Sequence, residues 1–433
     1  MTDHATSTDS AVQAQLDRLW ALSPGADILG LGRITRLLAR LGDPHLRLPP
    51  VFHVAGTNGK GSTCAFLRAA LEAAGHAVHV YSSPHLVRFN ERIRLAGRLI
   101  DDAALAGLLA EVLDQADGIG ASFFEVTTAA AFLAFARVPA AATIVEVGLG
   151  GRLDATNVVQ PLVTGIAALG IDHQAFLGDT LDQIAGEKAG IAKPGIPLVT
   201  MDYPPAIAAR IAAVADTAAA PLFARGTDWS SQTTAQGVRY DQPGHILNAP
   251  LPTLGGQFQA ENYALAIAML RHQHALSVPD SAIREAATRA TWPARLQRLR
   301  PGPLVDRLAG RRVFLDGAHN VSAARQVARS LPARDMALVL GMLANKDAEG
   351  VLAALVAGGA ITCVIGVPVP GHASHPPEAL AAIAHANGIA AAAADSLTIA
   401  LDALADQRHE DVLIAGSLYL AGLALDANDE APA

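Results

Sequence analysis

Residues 51–75 constrain the fold more than any other part of this 433-residue chain. A short apolar run, Val51–Ala55, precedes the glycine-rich stretch GTNGKGS (56–62), and an apolar pattern of helical spacing then continues to Gly75. We expect a buried strand, a tight loop and a helix. Glycines let backbone N–H groups turn toward phosphate oxygens, and a helix N-terminus adds positive potential. The segment therefore predicts a phosphate-binding loop in which Lys60 neutralises terminal phosphates and Ser62 offers a hydroxyl.

The spacing of this loop departs from the common GxxxxGK[ST] pattern. Val54 stands where the first glycine belongs, and Gly61 separates Lys60 from Ser62. Taken alone, the loop is weak evidence, and a glycine-rich turn with a surface lysine is the alternative interpretation.

Short apolar runs alternate with longer helical patterns along most of the chain, which indicates βαβ units and an α/β fold with a largely parallel sheet. Length favours two domains. The Arg-rich, proline-interrupted stretch TWPARLQRLRP (291–301) separates two such alternations. We therefore predict a phosphate-loop ATPase domain at 1–297 and a smaller Rossmann-like α/β domain at 298–433. The predicted strands are Val51–Ala55, Val78–Tyr81, Thr143–Val147, Val163–Leu169, Ile196–Met201, Val313–Leu315, Ala337–Leu340, Thr362–Val367 and Val412–Ala415.

Composition excludes several classes of protein. The net charge is −8 and the basic residues are scattered, so a nucleic-acid partner is not expected. Cys64 and Cys363 lie far apart without a CxxC pattern, which argues against disulfides and thiolate metal sites and fits a reducing cytoplasm. No signal peptide or long apolar run predicts a membrane segment. We expect a cytoplasmic monomer that acts on small molecules.

Two weaker features complete the local predictions. The alanine-rich stretch 386–394 is interpreted as helix, since alanine has the highest helix propensity. The final residues, DANDEAPA (426–433), are expected to form a frayed tail.

Polar residues follow three of the predicted strands. Ser83 comes after Val78–Tyr81, Glu146 lies near the end of the next strand, and His173 follows the one after that. The carboxyl ends of parallel strands meet at one edge of a sheet, so these residues should converge on the phosphate loop. A carboxylate in an apolar strand favours a metal ligand, although a cap or salt bridge is the alternative for Glu146. Since magnesium prefers oxygen, a non-ligand histidine is the alternative for His173.

The loop variant GTNGKGS resembles that of the dihydrofolate synthase/folylpolyglutamate synthase family and of its relatives, the Mur peptidoglycan ligases. Further segments resemble the folate-ligase blocks, and they occur in family order over roughly residues 27–420. These segments are YSSPHLVRFNERI (81–93), FFEVTTAAAF (123–132), VEVGLGGRLDATN (145–157), GIDHQAFLGDTLDQIAGEKAGIAKPG (170–195), LGGQFQAENYALA (254–266), LDGAHN (315–320) and GMLANKD (341–347).

The resemblance implies ATP-dependent ligation of L-glutamate to dihydropteroate, giving 7,8-dihydrofolate, and to the γ-carboxylate of tetrahydrofolate and folylpolyglutamates. The substrate carboxylate would attack the γ-phosphate of ATP to form an acyl phosphate, which the glutamate amine then converts to product, with release of ADP and phosphate. Lys60 and magnesium ions would stabilise the developing charge. No covalent enzyme nucleophile is needed.

The resemblance also implies roles for individual residues. The expected ATP contacts are Thr57, Asn58, Gly59, Lys60, Gly61, Ser62, Asn262, Arg295 and Asp316. Ser83, Glu146 and His173 would hold magnesium, with two ions expected, and Lys188 would be carbamylated to support the metal site. The pterin-bearing substrate would lie against Ile28, Leu29, Gly30, Phe123, Phe124, Glu125, Arg152, Leu153 and Asp154. Strand-end positions add His319, Asn320 and Ser417, together with Lys346, as candidates for holding glutamate.

Each of these assignments has a plainer alternative. Adjacent Phe123 and Phe124 are often core residues, although aromatic rings also stack on flat heterocycles. Lys188 could pair with Glu187 or Asp182 on a solvated helix face. Loop capping would explain the glutamate candidates. The Arg295 segment, WPARLQ, also lacks the glycine that precedes the arginine in many relatives.

Three rival functions remain. A monofunctional folylpolyglutamate synthase is left open. A Mur-type ligase is disfavoured by the segments 81–93 and 170–195, and because only 55 residues precede Gly56, fewer than the additional N-terminal domain of about 90 residues would need. A nucleotide-binding protein without catalysis is disfavoured by the joint presence of Lys60, Glu146 and Lys188 with Ser62 and His173.

Overall fold

The computed structural model describes residues 6–22, 29–308, 310–405, 407 and 409–432. Within these residues the strands form sheets of eight, three and six members. Helices pack against the two larger sheets. The predicted α/β class, with a largely parallel sheet followed by a smaller one, is confirmed.

The eight-stranded sheet has the order β4-β3-β2-β5-β1-β6-β7-β8 and is parallel except at β3 and β4. Its strands are β1 (Val51–Ala55), β2 (Val78–Tyr81), β3 (Ile93–Leu95), β4 (Arg98–Leu99), β5 (Ala142–Glu146), β6 (Pro161–Ile166), β7 (Leu198–Thr200) and β8 (Leu222–Ala224). The helices of this part are α1 (Ser10–Leu22), α2 (Gly32–Arg40), α3 (Lys60–Ala73), α4 (Asp102–Gln115), α5 (Phe123–Arg137), α6 (Gln174–Leu177), α7 (Leu181–Ala189) and α8 (Pro205–Thr217).

Strand β1 lies at the centre of this sheet, and all of its residues are buried. It pairs in parallel with β5 and with β6, so Val54 stands opposite both Glu146 and Gly165. A strand covered on both faces is apolar throughout, which is why Val51–Ala55 shows no polar alternation. The phosphate loop therefore leaves the middle of the carboxyl edge.

A small antiparallel sheet follows, with the order β11-β10-β9. It comprises β9 (Ser230–Thr234), β10 (Gly237–Gln242) and β11 (His245–Ala249), and it precedes the helices α9 (Gln259–Arg271) and α10 (Asp280–Arg289). The sequence analysis missed these strands because none of them is a continuous apolar run. Most positions of β9 are exposed and polar, and β10 and β11 mix buried with exposed positions. Helices α9 and α10 pack against α3 and cover one face of the large sheet.

The six-stranded sheet has the order β12-β13-β17-β14-β15-β16, and only β12 is antiparallel to its neighbour. Its strands are β12 (Gln297–Arg298), β13 (Arg312–Leu315), β14 (Met336–Leu340), β15 (Ile361–Gly366), β16 (Ala390–Ala393) and β17 (Asp411–Ala415). Its helices are α11 (Val321–Ser330), α12 (Ala348–Val356), α13 (Pro377–Ala386), α14 (Leu397–Ala405) and α15 (Leu418–Ala427).

Two local predictions were wrong. Ala390–Ala393 is an edge strand rather than helix, because parallel pairing with β15 outweighs the helix propensity of alanine. Residues 428–430 are held in place rather than frayed. The Asn428 side chain accepts hydrogen bonds from the backbone N–H groups of Leu304, at 3.2 Å, and Val305, at 3.1 Å.

None of the helices in the described part of the chain is long and apolar enough to span a bilayer.

Candidate active site

A cleft of about 1350 Å³ lies where the carboxyl edges of the two larger sheets face each other. The cleft is lined by the phosphate loop, by other residues of the first half of the chain (up to residue 297) and by residues of the second half (from residue 298 onward). The cleft is lined by predicted site residues that include Leu29, Gly30, Thr57, Asn58, Gly59, Lys60, Gly61, Ser62, Ser83, Phe123, Phe124, Glu125, Glu146, Leu153, Asp154, His173, Lys188, Asn262, Arg295, Asp316, His319, Lys346 and Ser417. Positions scattered from 29 to 417 thus share one space, whereas Ile28 lies outside the described residues.

The phosphate loop is anchored to the chain that leaves β6. The backbone N–H groups of Thr57 and Asn58 donate to the carbonyl oxygen of Ala168 at 2.9 and 3.0 Å. Gly59 adopts a φ of 82°, a left-handed conformation that favours glycine, and the helix α3 begins at the next residue. Lys60 donates from Nζ to the Gly56 carbonyl at 3.2 Å, so its ammonium group lies over the loop.

Ser62 lies in the first turn of α3, and it is 1% exposed. Its Oγ is buried and has no hydrogen-bond partner among the described residues. A buried hydroxyl without a partner is costly, so a ligand at this position would satisfy it. This geometry fits the predicted contact with a phosphate-bound cation or phosphate oxygen.

Two glycines of the loop are fixed by packing. A Cβ at Gly59 would lie 2.3 Å from Oδ1 of Asn262, and a Cβ at Gly61 would lie 2.5 Å from the indole ring of Trp292. Trp292, in the segment between α10 and β12, therefore covers the start of α3. The unusual glycine between Lys60 and Ser62 leaves the room that this indole needs.

Replacing Gly61 by alanine is expected to weaken both folding and nucleotide binding. An added methyl group in a packed site costs about 1–3 kcal/mol, because the Trp292 ring must move. The matched control is Gly107→Ala in α4, where nothing lies within 4 Å of an added Cβ. That change should stabilise the protein by about 1 kcal/mol, since alanine favours helix over glycine. Thermal unfolding and calorimetric titration with ATP measure both effects, and equal shifts in the two variants would contradict the packing argument.

Glu146 ends β5 and is 5% exposed. Burial raises the pKa of its carboxyl group, while the charges of Lys60 and Arg295 and a hydrogen bond from the Ser83 backbone oppose this. Oε2 has no hydrogen-bond partner among the described residues. The carboxylate is thus neither a helix cap nor half of a closed salt bridge, and its free oxygen fits a cation ligand.

His173 lies seven residues beyond the end of β6, rather than directly after a strand as predicted. It has a φ of 53° and precedes α6. Burial lowers the pKa of this histidine to about 3, although the neighbouring Asp172 raises it. A neutral imidazole keeps a lone pair for a metal. No group of three or more His, Cys, Asp or Glu side chains in the described ranges could hold a metal by itself. A cation here would also need other ligands, such as phosphate and water oxygens.

Lys188 lies in α7 with 5% of its surface exposed. Its Nζ donates to the Gly56 carbonyl oxygen at 3.0 Å, which places the amine directly below the phosphate loop. Burial, and then the charge of Lys60, lower the pKa of Lys188 to about 7. The solvated-face alternative is therefore wrong. Glu187 pairs with Arg152 and Asp182 pairs with Arg210.

The neighbouring aromatic residues Phe123 and Phe124 have different surroundings. Phe123 stacks on Trp20 with ring centroids 5.0 Å apart, and it belongs to the core around α5. Phe124 points toward the loop after β5, where a Cβ at Gly148 would lie 2.3 Å from its ring. Leu29 and Gly30 line the same cleft. One ring is thus mainly structural, and Phe124 is the better placed to face a flat ligand.

Residues of the second half reach the cleft through tight turns. Asp316 accepts hydrogen bonds from the backbone N–H groups of Leu296 and Ala318, both at 2.7 Å. Arg295 donates from Nη1 to the Ala294 carbonyl oxygen at 2.9 Å. These contacts tie the segment between the halves to β13 and keep the Arg295 charge near Glu146.

The proposed glutamate residues also hold the loops in which they lie. Ser417 caps α15 by accepting from the Tyr419 backbone at 3.1 Å, and Asn320 caps α11. The His319 ring places Nδ1 2.8 Å from the Gly317 carbonyl oxygen and Nε2 3.3 Å from Asp172. Hydrogen bonds and ion pairs within these loops therefore fix part of the position of each side chain.

Comparison with known proteins gives the family. Residues 295–418 match the family described as Mur ligase, glutamate ligase domain. The dihydrofolate synthase/folylpolyglutamate synthase of Bacillus subtilis is 38% identical over 320 residues, which cover 70% of this chain and 72% of that protein. The chain belongs to the dihydrofolate synthase/folylpolyglutamate synthase family.

Solved structures of this family agree over nearly the whole chain. Escherichia coli FolC in complex with DHPP and ADP is 35% identical, with a TM-score of 0.87 and coverage of 97% of this chain and 98% of that chain. A bifunctional folylpolyglutamate synthase/dihydrofolate synthase with Mn, AMPPNP and L-glutamate bound is 33% identical, with a TM-score of 0.84 and coverage of 97% and 99%.

Three of the residues implied by the family resemblance have protein partners here. Arg152 binds Glu187, with Nη2 and Oε1 2.8 Å apart, and it is not among the described residues that line the cleft. Asp154 accepts from the Leu149 backbone at 2.7 Å and caps the turn that follows it. Glu125 forms a capping box at the start of α5. Each of these residues shapes the folate-synthase pocket through its loop.

Sequence analysis missed two residues of this folate-synthase fold, Asp172 at the cleft and Trp292 beside the phosphate loop. Trp292 lies within the segment that was used to place a domain boundary and the Arg295 contact. Asp172 precedes His173, so the strand-end argument that selected the histidine could also have selected the aspartate. Burial alone raises the pKa of Asp172, but the hydrogen bond and charge of His319, together with the charge of Lys346, hold it well below its ordinary range.

Proposed function

We propose that this chain is an ATP-dependent ligase that joins L-glutamate to dihydropteroate, forming 7,8-dihydrofolate, and to the γ-carboxylate of tetrahydrofolate and its polyglutamates. ADP and phosphate are the other products. The observation that carries this proposal is the shared cleft. It combines a phosphate loop, an unpartnered buried carboxylate at Glu146 and an aromatic end at Phe124, and it is closed by the glutamate-ligase half.

The reaction takes place in two balanced steps. An oxygen of the substrate carboxylate bonds to the γ-phosphorus of ATP, the bond to the β-phosphate oxygen breaks, and ADP leaves. The amine nitrogen of glutamate then bonds to the acyl carbon, the bond to phosphate breaks, and the amine releases a proton. Lys60 stabilises the charge on the phosphoryl oxygens, and the loop backbone keeps the phosphates aligned with the incoming carboxylate.

A divalent cation fits beside this loop. Glu146 offers an unpartnered oxygen and His173 a neutral imidazole, and Ser83 lines the same part of the cleft. We assign these three residues to magnesium, with two ions in the complete site. The ions supply charge neutralisation on the ATP phosphates.

Lys188 is assigned as a carbamylated lysine. An uncharged amine adds to the carbon of carbon dioxide, forms an N–C bond and loses one proton, and the resulting carbamate carries a negative charge. The lowered pKa supports this assignment, because about half of the amine is uncharged near pH 7. A carbamate beneath Gly56 would face the metal site with the charge that a cation needs.

The other residues of the cleft are assigned to ATP, to the pterin-bearing substrate and to glutamate. Residues 57–62 with Asn262, Arg295 and Asp316 surround ATP. The pterin end lies against Leu29, Gly30, Phe124 and Leu153, with Phe123, Glu125, Arg152 and Asp154 shaping that wall. His319, Lys346 and Ser417 serve the incoming glutamate.

The chain is proposed to divide into an ATP- and folate-binding domain at 1–297 and a glutamate-ligase domain at 298–433. Strand β12 (Gln297–Arg298) pairs with β13, so the second sheet begins within one residue of this proposed boundary. We place the protein in the cytoplasm as a monomer that acts on small molecules without a nucleic-acid partner. Its net charge of −8 supports the last point.

A product assay tests the proposed function. Dihydropteroate and tetrahydrofolate are offered separately, each with ATP, magnesium and L-glutamate, and products are identified by mass spectrometry. We expect ADP release that depends on glutamate with both acceptors. Product from tetrahydrofolate alone would identify a monofunctional folylpolyglutamate synthase, and ATP binding without ADP release would favour a binding protein.

A further inference from the structure

The carboxylate of Asp172 is a point at which the two halves of the chain meet. Oδ1 accepts a hydrogen bond from Nζ of Lys346. Oδ2 accepts from Nδ2 of Asn320 at 3.1 Å and lies 3.3 Å from Nε2 of His319. The Asp172 side chain is 7% exposed, and that of Lys346 is 9% exposed. Three polar groups of the second half thus converge on one buried carboxylate of the first half.

The same network includes the phosphate loop. Asn320 donates from Nδ2 to Oδ1 of Asn58 at 3.0 Å, and Asn58 donates from Nδ2 to Oγ of Ser322 at 2.6 Å. The packing is close, since a Cβ at Gly170 would lie 2.3 Å from that hydroxyl. Contacts that begin at Asp172 therefore continue without a gap into the loop that faces the ATP phosphates.

Lys346 can serve Asp172 and a ligand together. An ammonium group has three N–H donors, and one of them is directed at Asp172. The Lys346 backbone is also fixed, because its N–H donates to the Leu343 carbonyl oxygen at 3.0 Å and its carbonyl oxygen lies 2.9 Å from Nε2 of His375. The carboxylate thus sets where the flexible end of this side chain lies within the cleft.

We infer that Asp172 is a positioning residue for the amino-acid substrate. It holds Lys346 and His319 at the glutamate side of the cleft while it ties the second half to the phosphate loop through Asn320. This inference rests on the proposed function, since it assigns the amino-acid subsite to the cleft region between Asp172 and Lys346.

The kinetic test compares Asp172→Asn with Asp179→Asn, an exposed carboxylate of the same segment. Loss of one partner from a buried charge pair should lower kcat/KM for glutamate by about thirtyfold or more, chiefly through KM. KM for magnesium–ATP should rise less than KM for glutamate, because the phosphate loop keeps its own hydrogen bonds to the Ala168 carbonyl oxygen. Asp172→Glu keeps the negative charge, so its KM for glutamate should lie between the values of the wild type and of Asp172→Asn. Equal rises in KM for ATP and glutamate, or no change in either, would overturn the inference.

Hydrogen–deuterium exchange of the ligand-free protein provides a test that does not depend on activity. In Asp172→Asn, amides of residues 318–322 and 343–347 should exchange faster than in the wild type, and Asp179→Asn should leave them unchanged. Faster exchange in a protein that never uses glutamate would retain the bridge but refute the proposed function. Unchanged exchange and glutamate KM in an active enzyme would refute the inference alone.

Discussion

Lys60→Met is expected to lower kcat for ADP release by about three orders of magnitude, since it removes the cation that faces the developing phosphoryl charge. The ammonium group lies over the phosphate loop, 3.2 Å from the Gly56 carbonyl oxygen, and methionine keeps the length of the side chain without its charge. Steady-state kinetics with saturating ATP and glutamate measure the effect. The folded structure should be retained, because Lys60 is only partly buried.

Lys193→Met is the matched control for this prediction. Lys193 is also partly buried and also donates to a backbone carbonyl oxygen, that of Asn157, at 2.8 Å. It is not among the described residues that line the cleft. We expect kcat of this variant to stay close to the wild-type value. Turnover of Lys60→Met within about tenfold of wild type would show that the lysine does not act on the phosphates.

Lys188→Ala is expected to reduce turnover by about a hundredfold or more, because it removes the anionic group proposed to support the metal site. The amine lies 3.0 Å from the Gly56 carbonyl oxygen and is almost fully buried. Alanine leaves a cavity of side-chain length, so added formate or acetate should restore part of the rate by supplying a carboxylate. Lys188→Met fills that space and should not respond. Full activity of Lys188→Ala without added carboxylate would refute the carbamate assignment.

The unmodified lysine also predicts a dependence of stability on pH. In buffer free of carbon dioxide, the pKa of Lys188 is about 7 in the folded protein against an ordinary value of 10.5. The unfolded chain therefore binds more protons between these values, so stability rises with pH across the window and is lost as pH falls through 7. The total change in the free energy of unfolding across this pH window is on the order of 5 kcal/mol. Lys188→Met should lack this contribution and unfold at a higher temperature than the wild type at pH 6.

Local sequence was sufficient where one segment determines its own structure. An apolar strand, glycines and a helix with Lys60 at its start follow one another directly, and the structure places them as β1, the phosphate loop and α3. Glu146 could be selected because a carboxylate at the end of an apolar strand is costly without a partner. The parallel-strand rule then predicted that Glu146 would face the phosphate loop, whereas His173 lies at the cleft in a loop seven residues beyond the end of β6.

Other features depend on residues far apart in the chain. Lys346 binds Asp172 across 174 positions, and neither residue carries a local signal for the other. Trp292 packs on Gly61 only because the segment after α10 returns to the start of α3. In the same way, Ala390–Ala393 becomes a strand because β15 offers it an edge.

The sequence alone determined the α/β class, the phosphate loop, the family and many of the residues that line the cleft, because residue type and short spacing specify strands, turns and the groups that follow them. Only the tertiary structure decided which of these groups are buried and paired. Burial removes Lys188 from the solvent that would stabilise its charge. Asp172 forms hydrogen bonds that connect the first half of the chain to the second. Burial and pairing arise from packing between distant segments, and they set the charge and position on which the chemistry depends.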